Sequence, residues 1–577
     1  MNPKTHPQNN NPGKNTATAI SKMTASPRLQ MVLLVFFTSL LYANILFNGF
    51  VYDDYAIIVE NKHIQEPLKN LPALFNRGYF DIAAGEASYR PIATLSYYLI
   101  YAVAGLNPFL YHLFSMIIHV ANVILVYLLI GCMAKNKWIT LMAAALFACH
   151  PALTEAVAVI SYNEDLLTAF FFLLAFWFYL KLGSDGFKSN TKYYGLSLIC
   201  FLLGLLSKEM AITLPVILVL YDVSLRNETG KPSFSLQKVI KTFKDRGLFY
   251  GGFLAVSLLY LLIRFFILYD PQKSIKSYSG NWLERIIFLP DHIFSFIKLA
   301  VVPVHLTADY VFSYPLRFFS ASNLSGFMVV TGLVGGSVFI FKYSKKIFFA
   351  VWWFIITLFP VYNIIPIFNP FAERYLYIPL VGFCMLVAIV IHTSFHQRFS
   401  ASVWTNIVKV LVIFLLLNFY ASVTIQRNRD WKDSLTLWSE TVITSPDSSI
   451  AHGSLGRAYQ DQGRIEEAIA EYNKAIELYP RNYKAFYNLG VLYESQGAIA
   501  EATDYYEKAI AVNPAFVDAR FNLANIYHNQ GLLNEAIEHY RKVTELDPTD
   551  FEARNNLGVT YARQGDLTSA VEEWKNV

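Results

Sequence analysis

The chain has 577 residues, 55% of them hydrophobic and 15% charged, with a mean hydropathy of +0.36. Soluble domains carry roughly 25% charged residues, so these proportions exclude a soluble globular protein and indicate one embedded in a membrane. The net charge of +5 is small for this length and gives no reason to expect nucleic acid as a partner. Cys132, Cys149, Cys200 and Cys384 all lie in apolar runs and none forms a CxxC. They read as buried packing residues, without a disulfide framework or a zinc site.

Residues 1–28 are polar, rich in Asn, Pro and Thr, and carry Lys4, Lys14, Lys22 and Arg28, the composition of a disordered tail. The apolar run Leu29–Phe47 is too long for a signal-peptide core and lacks a small-residue cleavage site, so it reads as a retained first span. Asp53 and Asp54 follow directly. Further runs at 109–133, 138–158, 164–182, 193–207, 209–225, 248–268, 323–342, 347–366, 375–393 and 404–424 bring the expectation to about eleven spans. Segments 92–105 and 283–303 read as helices at the outer interface, because a lone crossing by 283–303 would carry Lys342, Lys345 and Lys346 outside.

The excess of Lys and Arg on cytoplasmic loops puts the basic tail inside, together with Lys135, Lys137, Lys181, Lys188 and Lys192. The stretch from Arg226 to Arg246 falls inside as well. Asp53, Asp54 and the last third of the chain then lie outside. Lys273, Lys276, Arg285, Lys298 and Arg317 in the outer segment 270–322 run against this assignment. The expected setting is a bacterial inner membrane with the C-terminal part in the periplasm, or the endoplasmic reticulum membrane with that part lumenal in a eukaryotic cell.

From residue 449 the chain repeats with a period of 34: Leu455, Leu489, Leu523 and Leu557 share one position, and Tyr459, Tyr493, Tyr527 and Tyr561 another. Gly463, Gly497, Gly531 and Gly565 follow, then Ala468, Ala502, Ala536 and Ala570, with Pro480, Pro514 and Pro548 closing the units. This is the tetratricopeptide pattern, two antiparallel helices per unit stacked into an α-solenoid. The expected organisation is thus all-α: a tail over 1–28, a polytopic helix bundle over 29–426, a linker and degenerate half-repeat over 427–448 with Trp438 and Pro446, and about four repeats over 449–577, the last incomplete. Asn488, Asn522 and Asn556 share a position on the first helices, where side-chain amides suit an acceptor peptide's backbone. Asn is also common there for purely structural reasons.

Ionisable groups at membrane depth are costly and mark function by default. On the topology above, Asp53, Asp54, Arg90, His112, His150, Glu155, Asp165, Lys208, Glu209, Asp309, Tyr310, Glu373 and Arg374 all gather at the outer surface, while Asp222 lies near the inner face. The alternative for each is local: a helix-end charge touching water, or a structural ion pair such as Lys208–Glu209 or Glu373–Arg374. The chemistry suggested is sugar transfer from a lipid phosphate. A carboxylate takes the proton of an acceptor hydroxyl as it attacks the anomeric carbon. Arg90, Lys208 and Arg374 hold the leaving phosphate. The second Asp is left to position the acceptor or to bind a divalent cation, which the scheme allows without requiring; no metal site is assigned.

Tyr52-Asp53-Asp54, Tyr89-Arg90-Pro91, Tyr111-His112-Leu113 with His119, His150-Pro151 and Thr154-Glu155-Ala156-Val157 occur in order. Leu206-Ser207-Lys208-Glu209, Ala372-Glu373-Arg374-Tyr375-Leu376-Tyr377 and Arg427-Asn428-Arg429-Asp430-Trp431 follow. With the repeats, this ordered set resembles the transmembrane and tetratricopeptide-repeat O-mannosyltransferases and their bacterial relatives, over residues 29–577. The resemblance implies a GT-C fold, an acidic base in the first outer loop, a polyprenyl-phosphate sugar as donor and Ser or Thr hydroxyls of proteins as acceptors, by an inverting displacement. The short array leaves mannose as the sugar open. Two rival readings remain: a GT-C transferase that modifies a lipid or polysaccharide, and a non-enzymatic membrane-anchored tetratricopeptide scaffold.

Overall fold

The computed structural model describes residues 26–75, 89–182, 191–226, 236–267, 282–311, 320–364, 369–397 and 403–576. The tail expected to be disordered lies outside these residues up to position 25, as do Lys188, Lys273, Lys276 and Arg317 of the sidedness argument. The described residues form helices, helical turns and connecting loops, with no strand among them. They fall into two compact units. The first runs to Asp433, apart from a short segment beginning at Thr307; that segment groups with the second unit, which continues from Ser434.

In the first unit, α1 (Pro27–Tyr42), α2 (Pro91–Ala104), α3 (Pro108–Ala134), α4 (Lys137–Ala148), α5 (Thr154–Ala158), α6 (Asn163–Leu180), α7 (Thr191–Ser207) and α8 (Leu214–Tyr221) precede α9 (Leu236–Leu262). Then come α10 (Trp282–Val301), α11 (Ala321–Tyr343), α12 (Lys345–Thr357), α13 (Pro379–Gln397) and α14 (Val403–Asp430). Local chemistry sets several ends. Asn107 caps α3 by accepting from the Phe109 N–H, with Pro108 at the first helical position, and Asn136 caps α4. Glu164 and Asp165 occupy the first turn of α6, where the helix dipole favours carboxylates. At Gly382, a Cβ would sit 2.6 Å from the Ala350 carbonyl oxygen, so only glycine lets α13 approach α12 this closely.

Six described helical stretches are long and apolar enough to cross a membrane, or seven if the bent pair α4 and Pro151–Ala158 is one span. The expectation was about eleven, and the difference lies in breaks that hydropathy does not register. The run 138–158 bends by 54° after Cys149, where Pro151 cannot continue the helix. α7 stops at Ser207, Lys208 is extended, and a tight turn leads into the eight-residue α8. α12 ends at Thr357 short of Pro360, and α13 begins only after the turn Glu373–Leu376. Three of the cysteines are buried; Cys132 is exposed, because the outer face of an apolar helix is built to meet lipid rather than protein.

The second unit begins with α15 (Ser434–Thr444), which carries the buried Trp438, and continues as α16 (Ser449–Asp461), α17 (Ile465–Leu478), α18 (Tyr483–Ser495) and α19 (Ile499–Val512). α20 (Val517–Gln530), α21 (Leu533–Leu546), α22 (Phe551–Gln564) and α23 (Leu567–Lys575) complete it. Gly463, Gly497, Gly531 and Gly565 turn each pair with φ between +72° and +96°, a region that only glycine enters without strain. The recurring alanines and tyrosines, Ala468 and Tyr472 through Ala536 and Tyr540, fill the core of each pair.

Candidate active site

The loop after α1 reaches Asp53 through Tyr52, whose φ of +54° is a strained conformation for a non-glycine residue. The two acids have different surroundings. Asp54 is fully buried; its Oδ2 accepts the Val51 N–H at 3.1 Å and its Oδ1 the Ser161 N–H at 2.7 Å. Asp53 is half-buried; its Oδ2 accepts from Tyr162 Oη at 2.8 Å, and among the described residues Oδ1 accepts no hydrogen bond. Burial pushes the Asp54 carboxyl up to about 7 against the pull of its two N–H donors. It raises Asp53 too, opposed by the Tyr162 hydroxyl and the Arg374 charge and reinforced by Glu164 and Glu155.

Tyr162 joins this pair to a cation. The Arg374 guanidinium lies 4.0 Å from the Tyr162 ring centre. Glu155 holds Arg374 twice, from its side chain and from its backbone N–H at 2.8 Å. A second network adjoins. Lys208 Nζ meets Glu164 at 2.8 Å and Asp165 at 2.7 Å; Glu164 meets Arg90 at 2.5 Å; Glu209 lies 3.3 Å from both Arg90 and Arg264. The Tyr375 ring links the two, with Arg374 at 5.1 Å and Lys208 at 5.6 Å from its centre. Around these rings the carboxylates of Asp53, Asp54, Glu155, Glu164, Asp165 and Glu209 outnumber the cations Arg90, Lys208, Arg264 and Arg374.

The expected site residues thus divide. Asp53, Asp54, Arg90, Glu155, Asp165, Lys208, Glu209 and Arg374 come together in these linked networks. Glu373 meets Arg427 at 3.0 Å while Arg374 meets Glu155, so the structural Glu373–Arg374 ion pair offered as the local alternative is not among the ion pairs of the described residues. His112 Nε2 faces the Gly49 carbonyl at 3.3 Å and steadies the loop leading to Asp53. His150 spends both ring nitrogens on backbone at the bend of the broken helix, Nε2 at 2.9 Å from the Ala300 carbonyl and Nδ1 capping the turn at Ala152.

Asp309 and Tyr310 belong to the segment that groups with the second unit, where Asp309 accepts from Ser448 Oγ at 2.5 Å beside the start of α16. Asn488, Asn522 and Asn556 are engaged within the array. Asn522 Nδ2 donates to Tyr506 Oη at 3.2 Å, and Asn488 and Asn556 interact likewise with the hydroxyls of Tyr472 and Tyr540. Each serves the buried tyrosine one helix back, which accounts for the 34-residue spacing without a bound peptide. Tyr162, Glu164 and Arg264 were missed from sequence. Arg264, an arginine inside an apolar run, carried the clearest signal. Among the described residues no three His, Cys, Asp or Glu side chains converge as a metal site requires.

Residues 91–240 match the family described as dolichyl-phosphate-mannose-protein mannosyltransferase. Tetratricopeptide repeat families match 456–497, 483–516, 505–538 and 524–565. The chain is 27% identical over 489 residues to the protein O-mannosyl-transferase TMTC3 of Mus musculus, covering 78% of this chain and 51% of that one. It is 27% identical over 505 residues to TMTC1 of Homo sapiens, covering 77% and 54%. A crystal structure of MamA aligns with 25% of this chain and 83% of its own at 27% identity and a TM-score of 0.23. The chain spans about half the length of the curated relatives it matches. The resemblance drawn from the ordered motifs is borne out: the relatives carry the same family name.

Proposed function

We propose that this chain is a multi-pass membrane glycosyltransferase of GT-C type. It moves a sugar, mannose by similarity to its relatives, from a polyprenyl-phosphate donor to Ser or Thr hydroxyls of proteins. The observation that carries this reading is Asp53 Oδ1, which accepts no hydrogen bond among the described residues while Tyr162 holds Oδ2, beside the buried guanidinium of Arg374.

An acceptor hydroxyl at Oδ1 gives Asp53 its proton while the hydroxyl oxygen forms the new bond to the anomeric carbon. The bond from that carbon to the phosphate oxygen breaks, and the lipid phosphate leaves with the electron pair, inverting the configuration. Asp54, with both oxygens taken by backbone N–H groups, shapes the loop. Of the three cations first assigned to the donor phosphate, Lys208 and Arg374 are enclosed in ion pairs with protein carboxylates. Arg90 is also paired, with Glu164 and Glu209, but Glu209, which it shares with Arg264, is the most exposed acid of the Lys208 network, and this reading places the donor phosphate there. The array offers a concave surface to the acceptor protein without using the asparagine ladder. The Asp53 loop and the array face the extracytoplasmic side in this scheme.

The full chain in nanodiscs, given polyprenyl-phosphate mannose and a Ser/Thr-rich polypeptide, tests this reading. Sugar on the polypeptide's hydroxyls is the expected result. Sugar appearing only on a lipid or glycan acceptor overturns the protein-acceptor reading, and no transfer to any acceptor overturns the enzyme.

A further inference from the structure

Tyr162 is absent from every motif read in the sequence, yet it is where the motifs meet. Its hydroxyl donates to Asp53 Oδ2 at 2.8 Å, its ring lies 4.0 Å from the Arg374 guanidinium, and its edge meets Tyr52 with ring centres 6.4 Å apart. It occupies the turn Ile160–Tyr162 that opens α6, and the N–H of its neighbour Ser161 binds Asp54. Both acids are therefore held by this one turn, Asp54 through backbone and Asp53 through the Tyr162 side chain. Arg374 cannot swing away, because Glu155 grips it from two directions.

We propose that Tyr162 is the positioning residue of Asp53: it fixes one carboxylate oxygen, turns the other toward the acceptor, and sets the pH at which the acid can take a proton. That Asp53 is the base rests on the function proposed above; the hold of Tyr162 on it does not. A hydroxyl hydrogen bond favours the ionised carboxylate, so its loss makes Asp53 harder to ionise. Hydrogen bonds to charged groups are strong enough to move such an equilibrium by about one pH unit. Meanwhile the ring beneath Arg374, which a phenylalanine retains, keeps the guanidinium in place.

The experiment uses full-length protein in nanodiscs with two readouts. The first is the carboxyl infrared band of Asp53 across pH, identified by subtracting spectra of Asp53→Asn. The second is the pH profile of mannose transfer from polyprenyl-phosphate mannose to a Ser/Thr-rich polypeptide. In Tyr162→Phe, the protonation midpoint of the Asp53 band moves up by about one pH unit. The acid limb of kcat moves with it, and kcat falls about tenfold with donor KM nearly unchanged. An Asp53 band with the same midpoint in wild type and Tyr162→Phe overturns the proposal. So does an unchanged acid limb in an active Tyr162→Phe protein. A shifted band in a protein that transfers no sugar leaves the positioning role standing and overturns the function instead.

Discussion

Asp54 Oδ1 accepts the Ser161 N–H at 2.7 Å and so fastens the loop after the first apolar helix to the turn that opens α6. This one bond spans more than a hundred residues of sequence and separates the roles of two adjacent acids. Asp54 is buried with both oxygens accepting backbone N–H groups, while Asp53, one residue earlier, has an oxygen that accepts no hydrogen bond among the described residues.

Asp54→Asn therefore damages stability more than chemistry. One backbone N–H loses its acceptor, at a cost of about 1–3 kcal/mol for a buried donor. Asp54 has its folded pKa raised to about 7 from an ordinary value of 3.8, so the folded state binds the proton more tightly than the unfolded one. Its contribution to stability is full below pH 4 and is lost as pH rises through about 7. Thermal melts should show wild type exceeding Asp54→Asn most at acidic pH, with the gap narrowing toward pH 8; a gap independent of pH contradicts this.

The Glu155–Arg374 pair is buried and doubly bonded. Removing one partner leaves an uncompensated charge, so Glu155→Ala should lower unfolding stability by about 3–5 kcal/mol. Denaturation of the purified protein reads this directly, and a loss below about 1 kcal/mol contradicts the pairing.

Arg264 meets Glu209, which it shares with Arg90. If this arrangement receives the donor phosphate, Arg264→Ala should raise donor KM about 10-fold or more with a smaller effect on acceptor KM. Steady-state titration of polyprenyl-phosphate mannose checks it. An unchanged donor KM removes Arg264 from the phosphate site.

In the array, Asn522 and Tyr506 are partners. Asn522→Ala should cost about 1 kcal/mol of stability and leave acceptor KM unaltered. A large rise in acceptor KM without loss of stability would restore the peptide-binding role that the sequence suggested for these asparagines.

Much of this was legible in the residues. The 34-residue period specifies the helix pairs through Gly531 and Tyr540 alike, because every repeat solves the same packing problem. The gathering of Asp53, Arg90, Glu155, Asp165, Lys208 and Arg374 followed from placing scarce charges on a topology. Side-chain direction was not legible. Glu373 and Arg374 are adjacent, yet one turns to Arg427 and the other to Glu155. Tyr162 read as one more aromatic in an apolar run, and only its hydroxyl's partner distinguishes it. Hydropathy also did not register helix breaks such as Pro151 and Lys208, since a window average runs straight over them, so fewer described helices reach full span length than apolar runs were read.

The central claim is that Asp53 removes the proton from an acceptor hydroxyl. Intact-mass analysis of extracytoplasmic proteins from cells expressing wild type, Asp53→Asn or Asp54→Asn at matched levels tests it most directly. Loss of a general base costs about 100-fold or more, so hexose on Ser and Thr should vanish with Asp53→Asn and persist, reduced in step with folded protein, with Asp54→Asn. Unchanged glycosylation in Asp53→Asn would contradict the account.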